Sequence, residues 1–255
     1  MPIISITPNN IDQEHICCAI GNDKDNLARA ANKKSWMKER FSEGLVFKRL
    51  DARGKVFVEY MPSETCWKPI EAKNFLVIHC LRVSGSFKGK GIGKELLKEV
   101  INDAKAQGRD GICVVTGNKD KPYLTNPKFY KKFGFETVDT AEPYFELLAL
   151  MFNPKAEKPR FSPHVKTGSC EEKEEIFLSY SNQCPFMEEY TTLLISKAKE
   201  LGIFTQAKKL NSAQEVKQWG SHFATFGIWR KGKFITHELP SEKGFEKLLQ
   251  KYSIA

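Results

Sequence analysis

The residues best suited to chemistry in this chain form one short turn, Lys88-Gly89-Lys90-Gly91-Ile92-Gly93. Glycine has no Cβ and tolerates positive φ, so such a turn can curl around a ligand and point successive N–H groups at it. A helix that begins here adds unpaired amides and the positive end of its dipole. Since Lys88, Lys90 and Lys94 add positive charge around the same point, we expect the turn to bind a diphosphate.

The residues of this turn do not match the sequence motifs of two familiar phosphate-binding loops. A Walker loop has a glycine separated by four residues from its Gly-Lys pair and Ser or Thr after that pair, but Lys88 and Glu95 occupy those positions. A dinucleotide-binding fingerprint that starts at Gly89 needs its third glycine where Lys94 stands, and one that starts at Gly91 fits no better. The turn therefore belongs to neither class.

The segments around the turn predict a βαβ unit. Residues 75–83 are almost continuously apolar, which is typical of a strand that is buried on both faces. Residues 94–106 repeat apolar side chains at helical spacing, and Gly108 is placed to end that helix. Residues 111–115 predict a second buried strand. Because a helix joins the two strands, we expect them to be parallel with a right-handed crossover.

Three further segments complete this part of the chain. Residues 45–60 predict two strands that are joined by a turn at residues 51–54. Asn126-Pro127 predicts the cap and first residue of another helix, which Gly134 ends. Residues 144–152 predict the strand that closes the sheet.

These segments carry two signatures of a known family. The spacing of Lys88, Gly91 and Gly93 resembles motif A of the GNAT superfamily of acyl-CoA-dependent N-acyltransferases, and residues 127–135 resemble its second signature. The resemblance implies an α/β (α+β) GNAT fold over residues 1–153, with acetyl-CoA as the acyl donor and no metal. It also implies which residues bind the coenzyme, on the turn, on the strand before it and at the second signature. They are Leu81, Arg82, Val83, Lys88, Gly89, Lys90, Gly91, Ile92, Gly93, Lys94 and Asn126.

The same resemblance implies how an amine attacks the thioester directly. The backbone of the strand before the turn pairs with the pantetheine arm, so its side chains matter little. Tyr130 matches the tyrosine that acts as general acid, and a phenol with a reference pKa of about 10 is protonated at neutral pH. The base stays unassigned, and a lone histidine in an apolar run is also compatible with a core role. The candidates are Glu59, His79, Asp139, Glu142 and Glu146.

Composition narrows the class of protein. The chain has 255 residues and a formal net charge of +9, but its lysines are interleaved with acids, so nucleic-acid binding is not expected. The lack of a membrane-spanning apolar stretch and of a signal peptide predicts a soluble, cytoplasmic protein. Seven cysteines without regular spacing, Cys17-Cys18 among them, argue against a disulfide framework or structural zinc.

A second domain follows a change in composition. Residues 154–173 are rich in proline and lysine and predict a linker. Residues 174–255 then predict elements in the order βαβ, α, ββα, which resembles a small thioredoxin-like α/β domain.

One corner of that second domain carries a possible redox thiol. Cys184-Pro185-Phe186-Met187 stands where glutaredoxin-like proteins have Cys-Pro-Phe/Tyr-Cys, at a strand-to-helix corner whose helix dipole lowers thiol pKa values. However, Met187 replaces the second cysteine, and Ala224 stands where redox members have a cis-proline. We therefore favour a binding or specificity module over dithiol exchange.

The two parts together resemble YoaP-type acetyltransferases of bacteria over nearly the full length. The favoured function is transfer of an acetyl group from coenzyme A to an amine. Two alternatives stay open: a thiol-handling protein that uses Cys184, and a noncatalytic acyl-CoA sensor. The acceptor, whether a small molecule or a protein amine, and the oligomeric state do not follow from the sequence.

Overall fold

The computed structural model describes residues 1–16 and 18–252, which form two compact units. The first unit comprises Met1–Cys66 and Ile70–Arg160, and the second comprises Trp67–Pro69 and the chain from Phe161 onward. Cys17, one of the predicted isolated thiols, lies outside the described residues. Among the residues that are described, no helix is long and apolar enough to cross a membrane.

The first unit combines helices and strands, as expected for the α/β (α+β) class. The strands are β1 (Ile3–Ile6), β2 (Val46–Leu50), β3 (Val56–Pro62), β4 (Ile70–Glu71), β5 (Phe75–Val83), β6 (Gly111–Gly117), β7 (Glu136–Ala141) and β8 (Phe145–Met151), with β9 (Arg160–Phe161) where the chain passes to the second unit. The helices are α1 (Lys24–Arg40), α2 (Ile92–Ala106) and α3 (Pro127–Lys131), and 3-10 turns occupy Phe41–Glu43 and Gly85–Phe87.

Seven of these strands form one sheet in the order β1-β2-β3-β5-β6-β8-β7. Strands β5 and β6 are parallel, and the other neighbouring pairs in this sheet are antiparallel. The predicted βαβ unit, β5-α2-β6, and the predicted hairpin, β2-β3, are therefore both confirmed.

One prediction about this sheet is wrong. Residues 144–152 are expected to close it, but β8 pairs with β6 on one side and with β7 on the other, so β7 is the edge strand. The side chains explain the order. Strand β8 buries Leu147 and Leu148, whereas β7 exposes Glu136 and Thr137. A polar edge strand is solvated by water and resists pairing with other chains, which suits the outer position.

Helices α1 and α2 pack against the sheet. Helix α2 begins at Ile92, two residues before the predicted start, because Gly91 makes the turn and Ile92 already packs against the core. Helix α1 has no counterpart among the predicted elements. Asp23 caps it by accepting from the amide of Asn26 at 2.9 Å, and it buries a mixed set of side chains. These are Lys33, Trp36, Met37 and Arg40.

The second unit has its own sheet and core. Its strands are β10 (Ile176–Tyr180), β11 (Thr205–Lys209), β12 (Phe226–Arg230) and β13 (Lys233–Thr236), and its helices are α4 (Pro163–Lys166), α5 (Met187–Glu200), α6 (Ala213–Trp219) and α7 (Glu242–Lys251). The sheet order is β11-β10-β12-β13, with β10 and β11 parallel and the other pairs antiparallel. The predicted element order from residue 174 is confirmed. Strand β9 and helix α4 lie in the segment predicted to be a linker.

Candidate active site

Strands β5 and β6 separate part-way along β5. Their parallel pairing ends at Ile78 and Val114. Beyond that point β5 continues to Val83 alongside β3, while β6 continues alongside β8. The result is an opening between two strand edges, which we call the strand gap. It begins just before the predicted pantetheine residues Leu81, Arg82 and Val83.

The predicted phosphate turn connects β5 to α2. Gly89 and Gly91 adopt φ values of +75° and +78°, in the left-handed region, and a Cβ added to either residue would meet open space. Gly91 is also the N-cap of α2, with no side chain to satisfy the first amides of the helix. The turn therefore leaves the positive end of α2 available to an anion.

The cations of the turn are also available. Lys88, Lys90 and Lys94 are exposed, and within the described part of the chain none of them forms an ion pair. The acid in the first turn of α2, Glu95, pairs with Lys98 at 3.2 Å. Because the positive charge is not neutralised internally, these residues fit the pyrophosphate of coenzyme A.

Charged side chains fix the second half of α2 to the sheet. Lys48 on β2 lies 2.9 Å from both Glu99 and Asp103. Burial alone would lower the pKa of Lys48, but hydrogen bonds to the two carboxylates outweigh it and raise that pKa. Tyr60 on β3 donates to Asp103, and burial together with that carboxylate raises the pKa of Tyr60. The second half of α2 is thus fixed to β2 and β3, while the start of the helix is available to a ligand.

Helix α3 positions the predicted acid, Tyr130. Asn126 caps the helix as expected, accepting from the amide of Lys128 at 2.9 Å, and its Nδ2 donates to Asp120. Tyr130 is fully buried, and burial raises its pKa although a hydrogen bond with Thr125 acts in the opposite direction. The phenol is therefore protonated at neutral pH and has a proton to donate.

Thr125 links this phenol to the coenzyme strand. Its Oγ1 donates to the carbonyl of Leu81 at 3.3 Å. The neighbouring Cys80 is close enough to raise the pKa of Tyr130 further. Sequence analysis missed Thr125, which precedes the second signature and carries no signal of its own. The structure brings Tyr130 to the segment of β5 that is predicted to bind pantetheine.

Two of the five candidate bases, Glu59 and His79, lie together. They are on the face of the sheet opposite to the core that contains Tyr130. Lys33 on α1 forms an ion pair with Glu59 on β3, and Glu59 Oε1 lies 3.5 Å from His79 Nδ1. All three side chains are at most 2% exposed. Burial alone would raise the pKa of Glu59, but Lys33 and His79 outweigh it and lower the pKa to about 2. Glu59 is therefore ionised at neutral pH. We call these three residues the buried trio.

The other three candidate bases lie elsewhere in the first unit. Glu146 pairs with Lys131 at 3.4 Å, Glu142 is exposed, and Asp139 is on the edge strand β7. Lys33 was missed by sequence analysis because α1 was missed. The sequence gave one indication of the trio, which is the position of a charged residue, Glu59, in the apolar segment between Phe57 and Met61.

The second unit places Cys184 between β10 and α5. Its side chain is partly buried against the core of that unit, and its carbonyl accepts from the amide of Met187 at 3.4 Å. Nearby, the amide of Ser181 donates to the carbonyl of Thr225, and buried Ala224 adopts a φ of +69°. The reactivity of Cys184 stays a prediction. The described cysteines are all free thiols: Cys18, Cys66, Cys80, Cys113, Cys170 and Cys184.

Comparison with known proteins gives two family matches. Residues 53–137 match the acetyltransferase (GNAT) domain, and residues 205–247 match the YoaP-like family. The first match begins in the turn between β2 and β3 and spans β3, the phosphate turn and Tyr130. The fold and the site thus define an N-acetyltransferase of the GNAT type.

Individual relatives narrow the assignment further. The chain is 43% identical, over 98% of its own length and 98% of the other, to the uncharacterized N-acetyltransferase YoaP of Bacillus subtilis (strain 168). It therefore belongs to the YoaP family of N-acetyltransferases. It is also 29% identical to an L-methionine sulfoximine/L-methionine sulfone acetyltransferase of Pseudomonas aeruginosa, over 42% of this chain and 59% of that protein. Among solved structures, a ribosomal-protein-alanine N-acetyltransferase from Brucella melitensis has 18% identity, a TM-score of 0.44 and coverage of 60% of this chain and 100% of its own.

Proposed function

We propose that this chain moves an acetyl group from acetyl-CoA to an amine by direct attack of the amine on the thioester. The observation that supports this most strongly is the strand gap, which leads to an unneutralised glycine turn at the start of α2. An extended arm with a pyrophosphate at one end fits that combination. A cytoplasmic location is part of the same proposal.

The coenzyme would contact three segments of the first unit. Its pyrophosphate lies on the turn formed by Lys88, Gly89, Lys90, Gly91, Ile92, Gly93 and Lys94. Its pantetheine arm lies along the backbone of Leu81, Arg82 and Val83, and Asn126 borders it. A backbone amide in that strand would also stabilise the oxyanion of the tetrahedral intermediate, where one donor contributes roughly 3 kcal/mol.

Tyr130 would supply the proton that the departing thiolate needs. Burial raises its pKa, so the phenol is protonated before the reaction. As the bond between the thioester carbon and sulfur breaks, the phenol donates and the thiol leaves neutral. The contact of Thr125 with Leu81 supports this role, because it joins the start of α3 to the coenzyme strand.

The acceptor belongs to the broad class of amines, either a small molecule or a protein amine. The Pseudomonas relative is named for amino-acid derivatives, so L-methionine sulfone is the first amine to test. A useful panel adds a diamine, an aminoglycoside and a peptide with a free α-amine. Release of free thiol from acetyl-CoA measures turnover for each amine.

The domain division that we propose is an acetyltransferase domain at residues 1–153, a linker at residues 154–173, and a thioredoxin-like domain at residues 174–255. The sheet order β11-β10-β12-β13 and the place of Cys184 before α5 support the thioredoxin-like assignment. Met187 stands where a dithiol exchanger needs a second cysteine, so we propose that this domain binds a ligand or partner. Alkylation of Cys184 should then leave acetyl transfer intact.

Calorimetric titration with acetyl-CoA tests the coenzyme site. Gly91→Glu places a carboxylate in the turn, where it should repel the pyrophosphate and abolish binding. Gly108→Glu is the matched control, because Gly108 has a φ of +63°, open space around its added Cβ, and a position just beyond the opposite end of α2. Wild-type protein that binds no acetyl-CoA would contradict the proposal, as would equal binding by all three proteins.

A further inference from the structure

The strand that is proposed to hold the pantetheine arm carries a cation that the steps above do not use. Arg82 takes part in the proposed coenzyme site only through its backbone, and its side chain is exposed. We propose that this side chain binds a carboxylate of the acceptor, so that the acceptor is a free α-amino acid or a derivative that keeps both its amine and its carboxylate. This inference rests on the proposed acetyl transfer and names the class of amine that takes part in it.

The side chain of Arg82 lies on the face of the sheet opposite to Tyr130. Its neighbours Leu81 and Val83 both pack on the core that contains Tyr130. Because successive side chains of a strand point to opposite faces, Arg82 belongs to the other face. Its partner across the strands is Phe57 of β3, which lies on that same face. The cation and the proposed acid are therefore on different sides of the coenzyme strand.

The molecule is open at this point of a central strand. Strand β5 is the fourth of the seven strands in its sheet, where helices normally cover both faces. Ile78 is buried, and so is His79, the extra residue of a β-bulge against β3. Beyond the bulge, Cys80 is partly exposed and Arg82 is exposed. Exposure thus begins where the pairing with β6 ends, so the side chain of Arg82 lies at an opening beside the strand gap.

A second cation, Lys55, contributes to the positive charge at this opening. Burial raises the pKa of the Cys18 thiol, and the charges of Arg82 and Lys55 act in the opposite direction, so both cations lie within electrostatic range of this thiol. Because the pKa of Cys18 is raised, the thiol is neutral at neutral pH and does not offset them. Neither Arg82 nor Lys55 forms an ion pair with another described residue. Two positive charges are therefore available to an anion.

Two acids that reach this face are paired with other cations. Glu59 pairs with Lys33 of α1, and Glu14 pairs with Arg49 of β2. An exposed arginine without a carboxylate partner is common on an outer surface, where water solvates it. Arg82 differs because it lies on a central strand, beside the segment that is proposed to hold the reacting thioester. A substrate bound at the strand gap would therefore contact it.

A carboxylate is the acceptor group that fits Arg82. The planar guanidinium binds a carboxylate through two parallel N–H donors, which gives both affinity and a fixed orientation. An α-amino acid carries its amine and its carboxylate on one carbon. A carboxylate held by Arg82 would therefore place the amine beside β5, where the thioester is proposed to lie. Arg82 binds and orients the acceptor in this scheme and transfers no proton.

The same charges disfavour other classes of amine. The side-chain amine of a protein lysine and the α-amine of a protein N-terminus have no carboxylate on the same carbon. A diamine or an aminoglycoside brings further positive charge towards Arg82 and Lys55, which repel it. We therefore expect the chain to discriminate most sharply between an amino acid and its uncharged amide.

Kinetics with matched pairs of amines tests the proposal. L-methionine sulfone and a set of natural L-amino acids are each compared with the corresponding amide, and kcat/KM should be higher for the acid. Arg82→Gln should lower the ratio of kcat/KM for acid and amide by about 10–100-fold, because a hydrogen bond between two charged groups is lost. This ratio removes the intrinsic difference in basicity between the two amines. Arg82→Lys keeps the charge without the paired donors and should restore part of the ratio. The matched control is Arg109→Gln, which removes an arginine of the same unit that pairs with Glu64 and should keep the wild-type ratio.

Calorimetry distinguishes the carboxylate of the acceptor from the 3′-phosphate of the coenzyme, the other anion that these cations suit. Acetyl-CoA and its 3′-dephospho form should each bind Arg82→Gln about as tightly as wild type, because β5 is proposed to contact the coenzyme through its backbone. A loss of affinity in Arg82→Gln that is seen with acetyl-CoA and absent with the dephospho form would assign Arg82 to the 3′-phosphate and overturn this inference.

Wild-type protein alone keeps the proposal testable where a variant fails to fold. Amides that are acetylated as efficiently as the acids, or turnover of diamines, aminoglycosides or peptides but of no amino acid, would overturn this inference and leave the proposed acetyl transfer standing. A preference for acids that persists in Arg82→Gln would likewise remove Arg82 from the acceptor site. Absence of acetyl-CoA binding to wild type, or of transfer to any amine, would overturn the proposed function and this inference with it.

Discussion

Each of the two units of the molecule contains a βαβ motif, and the two motifs differ in how far their parallel strands stay paired. In the second unit, β10 pairs with β11 along its full length, from Ile176 to Tyr180. In the first unit, β5 pairs with β6 over Phe75 to Ile78 and then continues to Val83 without it. A strand that outlasts its partner leaves an edge that no second strand pairs, and an extended ligand can lie along such an edge even though Thr125 already donates to the carbonyl of Leu81. The coenzyme site is therefore expected in the first unit.

The two helices that follow these strands differ as well. Helix α5 carries Glu188 in its first turn, where the carboxylate accepts from Asn182 at 2.8 Å and pairs with Lys209 at 3.0 Å. That helix start is occupied by an internal anion. Helix α2 instead follows exposed Lys88 and Lys90, which make no ion pair in the described residues. An anion site thus requires a helix start that the protein has not already neutralised.

The largest expected difference between the units is catalytic. Tyr130→Phe should lower turnover about 10²–10⁴-fold, because in the proposed mechanism the thiolate loses its proton donor. Acetyl-CoA affinity should change much less. Tyr180→Phe, at the end of β10, is the matched change in the second unit and should leave turnover unaltered. Steady-state kinetics and calorimetry check both, and equal losses of rate and affinity in Tyr130→Phe would assign Tyr130 to packing.

Acid should destabilise the first unit more than the second. The pKa of Glu59 is lowered from about 4.5 to about 2, so its stabilising contribution is complete above about pH 4.5 and is lost as the pH falls towards 2. That difference corresponds to about 3 kcal/mol. Hydrogen exchange of β3 amides should show this loss in wild type, and Glu59→Gln should show little further loss with acid. In Glu188→Gln, where the carboxylate is more exposed, the pH dependence should match wild type.

One tyrosine hydrogen bond in each unit should differ in how much it stabilises the fold. Tyr60 donates to the charged Asp103, whereas Tyr190 of the second unit donates to the neutral carbonyl of Pro240. Tyr60→Phe should therefore lower the free energy of unfolding by about 1.5–3 kcal/mol, and Tyr190→Phe by about 0.5–1.5 kcal/mol. Urea denaturation measures both losses. Equal losses of unfolding free energy would mean that the charge of Asp103 does not strengthen the hydrogen bond between Tyr60 and α2.

The smallest expected effect is that of removing the thiol from the second unit. Cys184→Ser should leave acetyl transfer within about twofold of wild type, because we propose that the reacting groups lie in the first unit. The thiol-release assay with acetyl-CoA gives the comparison. A tenfold or greater loss of turnover would favour the alternative in which Cys184 performs the chemistry.

Sequence patterns predict the two βαβ motifs well, because both patterns are local. The apolar run of β5 and the helical spacing of α2 predicted the βαβ motif of the first unit, and the predicted element order from residue 174 matches the second unit. Helix α1 was not predicted because it has few apolar side chains. Two of the side chains that it buries, Lys33 and Arg40, are charged. The edge strand was also predicted wrongly, because a local sequence pattern does not give the order of strands in a sheet. That order depends on which strand faces are buried in the folded chain.

The site was predictable only in part, for a related reason. Glycine and lysine spacing predicted the turn, because backbone conformation and charge follow directly from residue type. The strand gap and the bulge at His79 depend on where pairing stops, and pairing joins residues that are distant in sequence. For the same reason, His79 resembled an ordinary core residue until Glu59 and Lys33 were placed beside it.

Hydrogen exchange with and without acetyl-CoA tests the central claim most directly, because it compares both units in one sample. We predict that acetyl-CoA slows exchange in the segment from Leu81 to Lys94, and leaves the corner from Tyr180 to Met187 unchanged. Protection of the second corner, or binding without protection of the first, would contradict the claim that the strand gap and its turn hold the coenzyme.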